Sequence, residues 1–572
     1  MHLGLPTRSV HGLPIIEHAE FGRNVPDEAM PDEDKMNLGK IYHMGKEEAA
    51  GLLLNRQAMA SHTFITGSTG TGKSNAVYHL LDEITKNGQT TFLVVEPAKG
   101  EYKNVFGNCT DAQVFGTNPR ETPLLRMNPF AFPENIHILE HIDRLVEIFN
   151  ACWPMYAAMP AVLKDAIERS YQKVGWDLRN SESEKGIFPT FFDLLDILPG
   201  VIEESHYSKD TQSDYVGALC TRVKSLTNGI YGSVLCAEDA LSDAEMFDQN
   251  VIVDLSRVGS METKSLLMGI LVMKLQEYRM CSSGMNSRLR HVTVLEEAHN
   301  LLRKTSAEQS QEGANLQGKS VEMLANAIAE MRTYGEGFII ADQAPGLLDM
   351  SVIRNTNTKI ILRLPDEEDR KLVGKSAALK EAQIDELSKL PLGVAAVYQN
   401  EWPEAVLCKI EAYPMPENAV YHKPSKMPHE INAEFVFGQL AVGKELKPLS
   451  SSEMEQLKLW LKRHETVLKP EDSRYLERVF AGGELDVAKT RKAVFDFFGG
   501  IGTVVDYCAA AKKSLTPRKE FLEQLQGQYG LKAAAADWVL NSVISMGMSL
   551  NPDAKAVDNL RTNFEQQGGR VL

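Results

Sequence analysis

Gly67-Ser68-Thr69-Gly70-Thr71-Gly72-Lys73-Ser74 is the stretch on which the fold turns, and it fits the spacing GxxxxGK[ST]. Thr63–Thr66 (TFIT), just before it, reads as a buried strand, and Lys73–Lys86, just after it, as a helix. A strand–loop–helix of this kind is built to hold phosphate. Its glycines let backbone N–H groups curl around the anion, and the helix start adds partial positive charge. Lys73 is placed to reach the outer phosphates, and the Ser74 hydroxyl to ligate Mg2+. Gly67 through Ser74, with Asn75 behind them, form the expected nucleotide-binding set.

Outward from this loop, strands alternate with helices. Thr91–Val95 and Gln113–Gly116 read as strands. Pro133–Asp248 is mostly helical, with apolar residues at helical spacing in HILEHIDRLVEIF and VGALCTRVKSL. Strands resume at Val251–Leu255, His291–Leu295, Gly337–Ala341 and Lys359–Leu364, with helices between them, as at Thr263–Tyr278. Val394–Tyr398 and Glu404–Ile410 predict a terminal hairpin. The alternation predicts an α/β fold with a mainly parallel sheet covered on both faces. The expected divisions are an N-terminal segment over 1–62, a core over 63–132 and 249–412, and a helical insertion over 133–248. A linker rich in Pro, Glu and Lys follows over 413–450, then a helical C-terminal module over 451–572.

A phosphate loop needs an acidic strand end beside it, and HVTVLEE (His291–Glu297) supplies one. Glu296 is expected to hold the Mg2+ shell through water. Glu297 is expected to orient and deprotonate the attacking water. Phosphoryl transfer needs both functions.

Composition narrows the rest. The 572 residues carry 61 Lys+Arg against 77 Asp+Glu, a net charge of −16. An apolar content of 43% and a charged content of 24% exclude wholesale disorder. From Ser451 to Leu572 there are 17 basic and 16 acidic residues, so the acidity lies in the first 450. An acidic surface repels nucleic acid, so any DNA contact must be gathered locally, as in a channel. The seven cysteines include no CxxC, and the histidines no HExxH, which weakens zinc and thioredoxin-like readings. Scattered, odd-numbered thiols predict a reducing, cytoplasmic setting. No apolar run approaches the ~20 residues of a membrane span, and the N-terminus lacks a secretory pattern.

Four segments in order carry a resemblance: Gly67–Ser74, VVEPAKGEY (Val94–Tyr102), LEEAHNLL (Leu295–Leu302) and MRTYGEGFIIADQAPGLLD (Met331–Asp349). Together they resemble the HerA branch of the HerA–FtsK ring ATPases, over roughly Asn37 to Cys408. That family's second segment usually reads Asp-Pro-x-Gly-Glu-Tyr. Here it is Glu96-Pro97-Ala98-Lys99-Gly100-Glu101-Tyr102, with Glu for Asp and one residue more. The resemblance implies a RecA-like P-loop ATPase core, with ATP and Mg2+ as cofactors. It also implies a homohexamer moving on double-stranded DNA, and Gln343 as a sensor of the γ-phosphate and attacking water. Arg332 would be a trans-acting arginine, with Arg354 and Arg363 as competitors. His299 would couple the acidic strand to its neighbours. Arg303–Ser320, polar and following the acidic motif, reads as a pore loop bringing Arg303, Lys304 and Lys319 to phosphates, or as a mobile surface loop.

The family usually carries a small β-barrel before the core. The first 62 residues have little strand signal, so the barrel is expected to be reduced or absent. Members commonly work with a nuclease, and some, in antiphage defence, with an effector such as a sirtuin-like NAD hydrolase. Two further readings remain beside the motor: an ATP-dependent ring scaffold that activates a partner enzyme, and a packaging or conjugative coupling ATPase.

Overall fold

The computed structural model describes residues 18–23, 30–109, 111–153, 155, 158–183, 186–237, 240–305, 316–415, 419–423, 431–442, 446, 448–449, 451–514 and 516–571. Thirteen strands are present among them: β1 (Lys35–His43), β2 (Lys46–Asn55), β3 (Thr63–Thr66), β4 (Thr91–Glu96), β5 (Ala112–Gly116), β6 (Trp176–Asp177), β7 (Glu182–Ser183), β8 (Asn250–Asp254), β9 (His291–Glu296), β10 (Glu336–Asp342), β11 (Thr358–Ile361), β12 (Val394–Gln399) and β13 (Val406–Ile410). Eleven form one sheet, in the order β2-β1-β13-β12-β11-β3-β10-β9-β4-β8-β5.

The centre of this sheet is parallel. β3 lies between β10 and β11, β9 between β10 and β4, and β4 beside β8. These strands are buried along nearly their whole length. That is why the sequence shows them as continuous apolar runs rather than alternating ones. The helix Lys73–Thr85 buries Ala76, Val77, Leu80, Leu81 and Ile84, one helical face. The helix Met261–Ser282 is buried on almost every side from Leu266 to Leu275, and Ser260 caps it by accepting from Thr263 N–H. The chain has a RecA-like P-loop fold, a mostly parallel mixed sheet with helices.

The flank differs from expectation. β12 and β13 form the predicted antiparallel hairpin. Beyond it, β1 pairs antiparallel with β13, and β2 with β1. The first 62 residues therefore contain two long strands where little strand signal was read. In β1 the buried Met36, Leu38 and Ile41 fall out of strict alternation because the pairing with β2 shifts register twice, between Asn37 and Gly39 and between Lys40 and Tyr42. β2 begins Lys-Glu-Glu-Ala-Ala-Gly and stands at the sheet edge with most of those side chains in solvent. Apolar alternation is imposed only on its last residues, where Leu52 and Leu54 are buried.

The chain divides into two compact units. One comprises residues 1–115, 147–156 and 243–421, and holds the large sheet. The other comprises 116–146, 157–242 and 422–572 and is mainly helical. The C-terminal helices, expected as a separate module, share this second unit with most of the insertion. Gly527, on the helix Pro517–Tyr529, lies under the ring of Phe192, on the helix Phe191–Glu204. A β-carbon at Gly527 would come within 2.6 Å of that ring. The C-terminal helices nevertheless keep an apolar core of their own, built from residues between Ile431 and Phe564.

Candidate nucleotide site

Loops after β3, β4, β9 and β10 leave the same edge of the parallel sheet, the usual place for a ligand in such folds. After β3 the chain forms the Gly67–Ser74 loop. Gly72 has φ +106° immediately before the helix, a backbone state that side chains resist. No side chain caps that helix start, so its first N–H groups remain free for an anion. Thr71 closes the loop on itself, its hydroxyl donating to Ser68 O at 2.7 Å. Ser68 is tied to the end of β11 through Arg363 O, accepting from Ser68 N at 3.0 Å and Ser68 Oγ at 3.1 Å.

Lys73 is buried. Its Nζ lies 3.2 Å from Glu297 Oε1 and 3.8 Å from Glu296 Oε2. Gln343 Nε2 also donates to Glu297 Oε1. Thr69 Oγ1 in turn donates to Gln343 Oε1 at 2.6 Å. Five of the expected residues, Thr69, Lys73, Glu296, Glu297 and Gln343, from three loops, are thus linked by hydrogen bonds or ion pairs. β10 lies directly beside β9, which brings Gln343 to the acidic pair.

Glu296 ends β9 and is buried; Glu297 turns out of the strand with φ +46°. Burial pushes the Glu296 carboxyl above its usual range, and Lys73 opposes the shift. Tyr102 OH donates to Glu296 Oε1 at 2.6 Å. Glu96, at the end of β4, accepts from Glu101 N at 2.7 Å and Tyr102 N at 3.1 Å. Burial pushes Glu96 up to about 7 despite those two bonds. Glu96 therefore shapes the turn that delivers Tyr102 to Glu296. Glu101 is half-buried and pairs with Lys99 at 3.7 Å.

Other expected residues stand elsewhere. Asn75 turns its side chain away from the loop: Nδ2 donates to Glu411 O at 3.0 Å and Oδ1 accepts from Tyr413 N at 2.9 Å. It fastens the chain after β13 to the helix. Arg332 is exposed in a short turn ahead of β10. Gln343 follows the other end of that seven-residue strand, roughly 20 Å away. Arg332 cannot reach the phosphate loop of its own chain. Arg354 is exposed, and Arg363 follows β11 next to the phosphate loop. Most of the polar stretch after the acidic motif, residues 306–315, lies outside the described residues. Arg303, Lys304 and Lys319 are described and exposed.

Sequence reading missed Tyr102 and Asp342 as site residues. Asp342 ends β10, is fully buried, and accepts from His299. The available signal was an acid terminating an apolar strand, the same signal that marked Glu296.

Residues 36–336 match the family described as helicase HerA, central domain. The chain belongs to the HerA family. A probable helicase of Methanocaldococcus jannaschii is 23% identical over 70% of this chain and 76% of its own length. The DNA double-strand break repair helicase HerA of Sulfolobus acidocaldarius is 25% identical over 66% of this chain and 69% of its own. VirB4 of Thermoanaerobacter pseudethanolicus shares the fold, with a TM-score of 0.51 at 18% identity, over 67% of this chain and 98% of that one. As a HerA-type P-loop ATPase, the chain carries its phosphate loop and acidic strand end inside the matched span.

Proposed function

We propose that the chain is an ATP-driven motor that moves on double-stranded DNA as a homohexameric ring. The observation that carries this reading is the meeting of Lys73, Glu297 and Gln343 at one edge of the sheet, in a HerA-family chain. The names of the curated relatives, repair helicases, support DNA as the polymer.

The contacts at the site support a role for each group. Glu297 is neutralised by Lys73. A nucleotide's phosphates draw Lys73 away, and Glu297 is left facing the space above the loop. There it takes a proton from the attacking water, while Gln343 orients that water. Ser74 and Glu296 offer hard oxygen donors, which suit Mg2+. The ion supplies charge neutralisation across the phosphates. Arg332, too far from its own site, supplies its guanidinium to a neighbour's. In this reading the ring works with an effector enzyme, a nuclease or a sirtuin-like NAD hydrolase, in antiphage defence.

The test is steady-state ATP hydrolysis with and without long duplex DNA, with native mass recorded on the same sample. Strong stimulation of a six-subunit species is expected. A hexamer whose turnover ignores DNA would replace the motor with a scaffold that activates its partner enzyme, a reading favoured by the net charge of −16.

A further inference from the structure

Asp342 accepts three hydrogen bonds from two neighbouring segments. Its Oδ2 receives His299 N–H at 2.9 Å and His299 Nδ1 at 2.9 Å, and its Oδ1 receives Ala344 N–H at 2.9 Å. The carboxylate is fully buried at the end of β10. The two bonds from His299 grip the turn Ala298–Asn300, which begins directly after Glu297. Asn300 closes that turn onto Glu297 O through its backbone N at 2.9 Å and its Nδ2 at 2.7 Å. Glu297 itself sits at φ +46°, ψ +50°, a region that residues other than glycine seldom occupy. Such a conformation persists only where surrounding contacts overdetermine it. Here those contacts come from Asp342 and Asn300.

The grip extends along both loops. Lys304 N donates to Leu347 O at 2.8 Å, and Asp349 N to Leu302 O at 2.9 Å. The segment after Glu297 is therefore stapled to the segment after Gln343. Glu297, His299 and Asp342 lie close enough together to resemble a cation site. The Asp342 oxygens, however, already carry N–H donors, and His299 Nδ1 must bear a proton to bond them. The cluster is a hydrogen-bonded clamp.

We propose that Asp342 is a positioning residue for the reaction. Through His299 it holds Glu297 in its left-handed backbone state, so that the Glu297 carboxylate faces Lys73 and Gln343. Because Asp342 also precedes Gln343, one buried carboxylate sets the place of both groups that address the water. The proposal rests on Glu297 being the base.

The experiment compares Asp342→Asn, His299→Ala, His299→Asn and Glu297→Gln in the full chain, measuring kcat for ATP and, separately, binding of a non-hydrolysable ATP analogue. Asn at 342 keeps the shape but has one oxygen, so an N–H faces an N–H in either orientation. Its kcat should fall on the order of 100-fold, the cost of a displaced catalytic group, with analogue binding retained. His299→Ala should fall similarly. His299→Asn, whose Nδ2 replaces Nδ1, should recover a large part. Wild-type kcat in Asp342→Asn would overturn the proposal, and so would equal activity of the two His299 variants. The His299 pair decides the matter if Asp342→Asn does not fold. Glu297→Gln separates the two layers. If it hydrolyses ATP normally, the base assignment is wrong. If it is inactive while Asp342→Asn is normal, only the clamp is wrong.

Discussion

Lys73 and Glu297 form an ion pair, which nucleotide binding breaks in the proposed mechanism. Lys73→Ala should therefore abolish turnover, and normal ATPase activity in that variant would remove the phosphate loop from the mechanism. Glu297→Gln should bind ATP and hydrolyse it very slowly. If it fails to bind ATP, Glu297 has the metal role and the acidic pair is assigned in reverse. Tyr102→Phe should raise the Mg2+ concentration needed for half-maximal turnover several-fold, since it strips Glu296 Oε1 of its buried donor. An unchanged Mg2+ dependence would limit Tyr102 to packing. At this scale the sequence was legible where chemistry is local. The Gly67–Ser74 loop and the Glu296–Glu297 pair announce themselves by spacing. Asp342 and Tyr102 act through partners far along the chain, and only folding brings those partners near.

The N-terminal ends of β9 and β10 are held by a different device. Arg279, Glu336 and His291 are all fully buried. Arg279 Nε donates to Glu336 Oε2 at 2.9 Å, His291 Nδ1 lies 2.7 Å from Glu336 Oε1, and Thr293 Oγ1 donates to Glu336 Oε1 at 2.8 Å. Burial opposes the Glu336 charge, but His291 and Arg279 outweigh it and hold the carboxyl at about 2. Burial pushes His291 itself below its usual range, so the lasting ion pair is Arg279–Glu336. A depressed carboxyl stabilises the fold above its unfolded pKa and loses that contribution as pH falls through the folded one. The window runs from 4.5 down to about 2, and the contribution is on the order of 3 kcal/mol. Glu336→Gln should lower stability at pH 7 and flatten its acid dependence across that window, as read by denaturant unfolding at several pH values. Unchanged curves would mean that the network is energetically neutral.

The turn before β10 has its own constraint. Gly335 has φ +74°, and a β-carbon there would lie 2.2 Å from Arg288 O. Gly335→Ala should destabilise the core and displace Arg332; a thermal midpoint equal to wild type would refute the crowding. Among the elements, the central strands were legible because full burial makes them apolar throughout. β2 was not, because an exposed edge tolerates Lys, Glu and Gly, and β1 was not, because register shifts interrupt its apolar alternation.

For the whole molecule, the proposed trans role of Arg332 yields a mixing test. Arg332→Ala subunits should lose hydrolysis alone and regain part of it when mixed with Lys73→Ala subunits, each providing a different half of a seam. No rescue at any ratio would count against a shared site. The two-unit division was only half visible in the sequence. Helical spacing identified the insertion and the C-terminal helices, but nothing in either segment states that Phe192 will cover Gly527.

The order of strands also bears on how the chain is made. β1 pairs with β13, with Gly39 opposite Ile410, and β3 is walled by β10 and β11. A ribosome adding ~5–20 residues per second needs on the order of 20–70 s between the first of these strands and the last. Throughout that interval the β1–β2 hairpin presents an unpaired edge, a template for wrong partners. The nucleotide loop, too, lacks its neighbours until β10 and β11 have emerged. A nascent chain of this protein thus has a prolonged vulnerable period in which ATP has no finished pocket to stabilise, and a chaperone shielding the early hairpin would act well before any nucleotide could.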